Sequence, residues 1–470
     1  MRVEGEVFLI KMPWHAKCEE NLIPPLGLGS LSEAMQQAGI DHEIYDLAAV
    51  PEARSALLAA IRDRKPAVAA VSFGSAGYLR TYAFLEEVKR AHPAIRVIVG
   101  GWHPSSVGAA IFDACPAVDV SVLGPGERAL IAVLRDEATG LGNVLTRGGN
   151  LTDGQIRLTE CLDRGGWAFP RYAKMDLSPY ALKGVRGILT SRGCPSQCTF
   201  CSSRRVSGLG YLAREVDDIA AEFEYHLGQG VRTFQILDDN MSLKMDRAMA
   251  IFEMILRLRE RVGDLSITLP NGIRADRCCP ELLTMARQCG VTILLFGIES
   301  ADDRMLAAMK KGQTLDTIRR AVLNAFNAGL QVRLAFLLGM PGETLEEVYR
   351  SMAFVRSFGR TFDDIYVNHP IPFPGTELYQ TLTEAGYLTL PPSEYLNCGH
   401  GRYFGVEPIF ETPELSFADR HALYGMFQQL RMELCPTRRP APARAPRRGL
   451  GDAFRLLFSA GRLLRRRVGA

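Results

Sequence analysis

Three cysteines stand in one short stretch, Cys194-Pro195-Ser196-Gln197-Cys198-Thr199-Phe200-Cys201. A cubane iron–sulfur cluster has four irons and is usually held by thiolates, so three on one loop leave the fourth iron open to another ligand. An open coordination position marks a catalytic metal site. Gly193 and Pro195 supply the bends that turn three sulfurs toward one corner of a cube. The competing readings are three free thiols or a zinc site. Structural zinc takes four ligands, normally as two separated pairs, and no second pair of matching spacing occurs in the chain.

With an aromatic residue just before its last cysteine, the motif resembles the signature of the radical S-adenosylmethionine (SAM) enzymes. In that family SAM chelates the open iron, and an electron from the cluster cleaves it to a 5′-deoxyadenosyl radical. The resemblance implies Cys194, Cys198 and Cys201 as ligands of a 4Fe–4S cluster and places Phe200 near the cluster and the adenine. It also implies an electron donor such as flavodoxin, ferredoxin or their reductase.

The chain has 470 residues, 47% of them hydrophobic, and a net charge of +3, enough for two or three domains with full cores. Near-neutral charge gives no case for nucleic acid as a partner. Eleven cysteines, with neither a signal peptide nor an apolar stretch long enough to cross a bilayer, point to a reducing cytoplasm.

The elements that must position the motif alternate. Residues 1–140 offer strands at Val7–Met12, His42–Tyr45, Val68–Ser72, Arg96–Val99 and Val118–Leu123. Helices fall between them near Leu26–Ala38, Ala53–Arg64, Leu79–Ala91 and Glu127–Leu134. This pattern predicts an α/β domain with a doubly wound parallel sheet, which binds ligands at the carboxyl ends of its strands. The loops there are rich in glycine, which admits ligands close to backbone. They contain Ser72 and Gly74, Gly100, Gly101 and His103, and Gly124, Gly126 and Glu127.

In this order before the cysteines, the loops are similar to the cobalamin-binding domain fused to many radical SAM enzymes. The resemblance implies Ser72–Ser75 near the lower face of the corrin, and Gly100–Pro104 and Gly124–Glu127 near its nucleotide tail. No Asp-x-His-x-x-Gly stretch is present, so no histidine is expected below cobalt, and the bulk of Trp102 would narrow the nucleotide groove. A domain that keeps the fold without cobalamin is the alternative. His103 reads either as a loop hydrogen-bonder or as a cofactor contact.

Residues 141–183 are glycine-rich and read as a linker. Over 184–385 the alternation resumes, with strands near Val185–Thr190, Thr233–Leu237, Leu265–Leu269, Ile293–Phe296, Val332–Leu338 and Asp364–Asn368. Six such units predict a partial (β/α)6 TIM-like barrel with its chemistry at the strand carboxyl ends. By resemblance Glu299 and Ser300 would meet the SAM ribose or amino-acid moiety, and Leu337–Gly339 would border the adenine. At least one of Asp238 and Asp239 would meet SAM or substrate, and Asp239 is taken as catalytic with Arg274. Arg274 suits the SAM carboxylate or, equally, a core ion pair. Glu343 reads as a ligand contact or a helix start, and Lys310 and Lys311 as a solvated face.

Residues 386–435 would form a small cap over the barrel mouth, with Cys18 and Cys398 open as active-site thiols and Cys278, Cys279 and Cys289 as buried small hydrophobes. The tail, 436–470, is strongly basic and reads as disordered or as a weakly membrane-associating helix. The resulting expectation is a radical SAM enzyme that abstracts hydrogen from a small-molecule intermediate, for cobalamin-dependent methylation of an unactivated carbon. The alternative is cyclisation, rearrangement or dehydration, as in aminoglycoside deoxygenation, without use of cobalamin.

Overall fold

A computed structural model describes residues 5–13, 23–149, 156–162, 167–397 and 405–436. Cys18, Cys398, the basic tail, and Gly154, Gly165 and Gly166 of the glycine-rich stretch lie outside the described residues.

Six strands build the first sheet: β1 (Val7–Lys11), β2 (Glu43–Asp46), β3 (Val68–Ser72), β4 (Arg96–Gly100), β5 (Val120–Val122) and β6 (Val144–Thr146), in the order β2-β1-β3-β4-β5-β6. All neighbours are parallel except β5 and β6. Apolar residues occupy both faces, as a sheet covered on both sides requires. Phe8 and Ile10 pack with Leu57, Ile61 and Leu85, while Val7 and Leu9 pack with Leu28, Met35 and Leu130.

The stretch expected as a linker is bound to both of its neighbours. Val144–Thr146 adds the antiparallel edge strand, and Arg157 bridges to Leu209 just past the cysteines. Arg171 pairs with Glu33, the Tyr180 hydroxyl donates to Asp46, and Tyr172 and Tyr180 are buried. Glycine suggested a loose segment; the aromatic and charged residues between the glycines decide instead, because they find partners on the first domain.

The second domain runs through β7 (Val185–Ile188), then β8 (Ser191–Arg192) and β9 (Leu212–Ala213), which pair antiparallel in a small sheet of their own around the cysteine loop, then β10 (Thr233–Ile236), β11 (Ser266–Thr268), β12 (Ile293–Glu299), β13 (Gln331–Leu337) and β14 (Asp364–Asn368). The parallel ladders run β11-β10-β7 and β12-β13-β14, and a parallel bridge from Ile267 to Val291 joins them. This is the partial six-stranded barrel, and Phe234, Phe296 and Phe336 on its strands share one buried core with Phe223, Phe252 and Phe427 of the surrounding helices.

β12 runs three residues beyond its expected end, through a bulge at Gly297–Glu299. The cap helix Phe417–Leu434 starts with a capping box between Ser416 and Asp419 and lies on β14 and the helix Leu345–Arg356. Among the described residues no helix is long and apolar enough to cross a membrane.

Candidate active site

The cysteine loop leaves β8 at Gly193, whose φ of 81° and whose contact with the Gly210 carbonyl leave no room for a side chain; an added Cβ would stand 2.6 Å from that oxygen. The Gly193 N–H donates to the Asp239 carboxylate at 2.9 Å, and the hydroxyls of Ser203 and Ser207 donate to it at 2.8 Å each. Asp239 therefore clasps the two ends of the loop. Asp238, fully buried, accepts from the Thr190 N–H and from the hydroxyls of Thr190 and Ser191. Burial holds its carboxyl above the ordinary carboxylate range against those donors.

The next residue, Asn240, places its amide 3.7 Å from the Cys194 sulfur. The three thiols differ in cover: Cys194 and Cys198 are partly buried and Cys201 is exposed. Burial pushes the Cys198 thiol up, opposed by Lys311 and Arg274.

Arg274 is fully engaged as well. It donates to Asp276 (2.9 Å), to the Ser196 hydroxyl in the cysteine loop (3.1 Å) and to the Lys311 carbonyl (2.9 Å). Both residues expected to be catalytic are engaged with the cysteine loop, Asp239 by accepting from backbone and hydroxyl donors and Arg274 by donating to a carboxylate, a hydroxyl oxygen and a carbonyl.

Lys311 overturns the solvated-face reading. Its ammonium pairs with Glu299 at 2.7 Å, both side chains are 11% exposed, and it lies 6.0 Å from the Phe200 ring centre. Glu299 has a φ of 64°, and a Cβ on Gly297 would lie 2.6 Å from its carboxylate. A strained backbone and a glycine thus make space for this pair. Lys310, by contrast, is exposed and pairs with Glu377.

Among the described residues, the buried Ser300 hydroxyl beyond β12 and Nε2 of His369 beyond β14 have no hydrogen-bond partner. Between them, beyond Leu337, the Gly339 N–H donates to Glu343 at 2.6 Å and its carbonyl accepts from Arg420 of the cap helix at 2.6 Å. Nδ1 of His369 is held by the Leu338 carbonyl at 3.1 Å.

At the seam between the two domains the glycine loops part in role. Phe73 and Gly100 bond directly, and a Cβ on Gly101 would meet the Phe73 carbonyl at 2.7 Å, so the loops holding Ser72, Gly74, Gly100 and Gly101 close on each other. Gly124 faces Ile156 and the Val206 carbonyl, and Gly126 faces Leu31, so both are covered by protein. Glu127 gives both carboxylate oxygens to Arg192. Gly124 thus lies against the supposed linker and the cysteine-loop helix, Gly126 against the first helix, and Glu127 against the arginine that precedes the cysteines.

His103 is buried, with Nε2 at 2.8 Å from the Tyr82 hydroxyl, Nδ1 at 3.3 Å from the Ser75 hydroxyl, and its ring stacked 4.1 Å from Tyr78. Burial lowers its pKa to about 3, so it is neutral. The same ring borders a cavity of about 600 Å³ whose walls come from both domains, Ser106–Ala110 on one side and Arg205, Pro374, Gly375 and Tyr379 on the other.

A radical SAM superfamily model matches residues 188–355, and a B12 binding domain model matches residues 16–134. The chain thus carries a radical SAM domain. It also carries a B12-binding domain, and the two domains imply a 4Fe–4S cluster, SAM and cobalamin as cofactors. It is 27% identical over 388 residues to an uncharacterized methyltransferase of Pyrococcus horikoshii, covering 78% of this chain and 82% of that protein. It is 31% identical over 231 residues to the cytidylyl-2-hydroxyethylphosphonate methyltransferase of Streptomyces wedmorensis, covering 46% and 41%. In fold it is similar to the methyltransferase TsrM of Kitasatospora setae with cobalamin and cluster bound, with 20% identity, a TM-score of 0.73, and 89% and 90% of the two chains covered. TsrM is also known with tryptophan and a SAM analogue.

The residues of this radical SAM enzyme fit the cluster and SAM. The three thiols share one loop with backbone fixed by Asp239 and Arg274, and the orphaned Ser300 hydroxyl and His369 nitrogen are atoms a polar ligand would satisfy. The seam fits a corrin held by small residues, Gly108, Ala109 and Ala110, with an open space beside Gly108 and no His103 nitrogen free for cobalt. Sequence reasoning placed Asn240 with Asp238 and Asp239 among the polar residues after the second barrel strand but missed Arg192 and Arg420. Arg192 had a signal in standing two residues before Cys194. Arg420, in the cap, had none.

Proposed function

We propose that this chain methylates an unactivated carbon of a small molecule held in the seam cavity. The observation that carries the reading is that this cavity is walled jointly by the B12-binding domain and by segments at the barrel mouth, so one substrate can meet what each domain carries. Two of its relatives are named methyltransferases, and TsrM accepts tryptophan, a small molecule.

When bound, the cluster supplies the electron that cleaves SAM to the 5′-deoxyadenosyl radical, and cobalamin carries the methyl group. Cys194, Cys198 and Cys201 would hold the cluster, and Asp239, Asn240 and Arg274 orient their loop. Lys311, neutralised in part by Glu299, presents a cation beside Phe200 that would meet the SAM carboxylate. Ser300 and His369 would satisfy polar atoms of SAM or substrate, His369 as an acceptor because its Nδ1 proton is committed to Leu338. Tyr78 and His103, stacked, give the cavity a flat apolar wall that excludes water from a radical. The electron donor is a flavodoxin, a ferredoxin or a reductase of either, and the enzyme works in the cytoplasm.

Anaerobic reconstitution with hydroxocobalamin tests the reading. Corrin retained stoichiometrically after desalting, with S-adenosylhomocysteine formed alongside 5′-deoxyadenosine, is the expected result. A loaded cluster with 5′-deoxyadenosine alone would point to rearrangement or dehydration.

A further inference from the structure

We propose that the Glu127–Arg192 ion pair is a strut that fixes the B12-binding domain against the cluster loop and thereby couples radical formation to methyl transfer. The coupling rests on the function proposed above; the strut itself does not.

Glu127 is the first residue of the helix Glu127–Arg135, which follows β5, and Arg192 ends β8 two residues before Cys194. The contact is bidentate, Nη1 to Oε2 at 3.1 Å and Nη2 to Oε1 at 2.5 Å, with the two side chains 12% and 14% exposed. Trp167, from the segment joining the domains, lies 4.9 Å from the guanidinium. On the other side Gly193 is held by Asp239. Arg192 and Gly193 are therefore pinned from both domains at once, and the B12-binding domain cannot shift on the barrel without breaking the pair or moving Cys194.

A planar fork on a carboxylate tolerates little displacement, and opening it leaves a nearly desolvated charge alone, which is strongly unfavourable. Radical formation needs only groups carried by the barrel. Methyl transfer needs groups on both domains, and an ångström of misplacement there costs roughly a hundredfold in rate. Loosening the strut should thus separate the two events.

The test compares wild type with Glu127→Gln and Arg192→Lys, each reconstituted with cluster and hydroxocobalamin. We expect 5′-deoxyadenosine formation from SAM within about twofold of wild type, and a broadened distribution of distances between cob(II)alamin and the reduced cluster in pulsed electron paramagnetic resonance. In the protein without cofactors, hydrogen exchange at 190–193 and 124–128 should rise about tenfold. Unchanged distances and exchange in both variants would overturn the strut. Should the single variants fail to fold, the charge-exchanged double variant Glu127→Arg with Arg192→Glu decides: recovery supports the strut, and a double variant no better than the singles refutes it. Wild type that retains no corrin would defeat the functional reading, while exchange in the cofactor-free protein still judges the strut.

Discussion

Around the cysteines, charged side chains serve the loop before they serve a ligand. Asp239 accepts three hydrogen bonds from the two ends of the cluster loop, so Asp239→Ala should destabilise the cofactor-free protein by about 2–3 kcal/mol in denaturant unfolding and lower the iron retained per chain after gel filtration. Unaltered iron content would show that the clasp is dispensable. Glu343 gives a pH signature. Burial pushes its carboxyl up to about 8, although the Gly339 N–H and Arg420 pull the other way. A carboxyl raised in the folded state binds its proton more tightly there than in the unfolded chain. Stability should therefore fall as pH rises from about 5 to 8, by less than about 1.4 kcal/mol per unit. Glu343→Gln, which keeps an acceptor for Gly339, should flatten that slope in unfolding measured across this range. At this scale the sequence announced which residues gather, and Cys194, Cys198, Asp239, Arg274, Glu299 and Ser300 do stand around one barrel mouth. It did not announce which of them face a ligand, because that depends on neighbours such as Ser203, Ser207 and Lys311 that no spacing rule connects to them.

The elements were legible where periodicity is strong and obscure where tertiary contacts outweigh it. All six barrel strands and the five parallel strands of the first sheet follow from apolar runs and alternation, while β6 and the strap around Tyr172 and Tyr180 take their form from what they pack on. The cap helix is the case with the largest consequence. It threads the fully buried Arg420 to the Gly339 carbonyl, the Leu415 carbonyl and the face of Phe410. Gly339 has a φ of 88°, and a Cβ there would fall 1.9 Å from the guanidinium. Gly339→Ala should thus cost at least about 3 kcal/mol, since it combines left-handed strain with displacement of a buried charge from its partners. Hydrogen exchange in Phe417–Leu434 should rise with it. Loss of stability without faster exchange in that helix would place the damage in β13 rather than in the docking of the cap.

At the scale of the molecule, both domains direct the carboxyl ends of their strands at one seam. The described residues between them are tied to the first domain by Arg171, Lys174 and Tyr180, so the seam is held by folded structure rather than by a tether. The cavity is therefore a shared working space, and filling it should affect the two chemistries unequally. Ala109 lines the cavity from the B12-binding side, and none of the three cysteines does. Ala109→Trp should lower retained corrin at least about tenfold, since a bulky ring would occupy space the cofactor needs and a rigid wall cannot yield it. Iron content, and cleavage of SAM to 5′-deoxyadenosine by dithionite-reduced enzyme, should stay near wild type, because the cluster loop is braced within the barrel by Asp239 and Arg274 and contributes only Arg205 to the cavity. Absorption spectra of the desalted protein and chromatography of the SAM products measure the two arms. Full corrin retention with normal S-adenosylhomocysteine formation would move the corrin to another face of the first domain and leave the cavity without a part in methyl transfer.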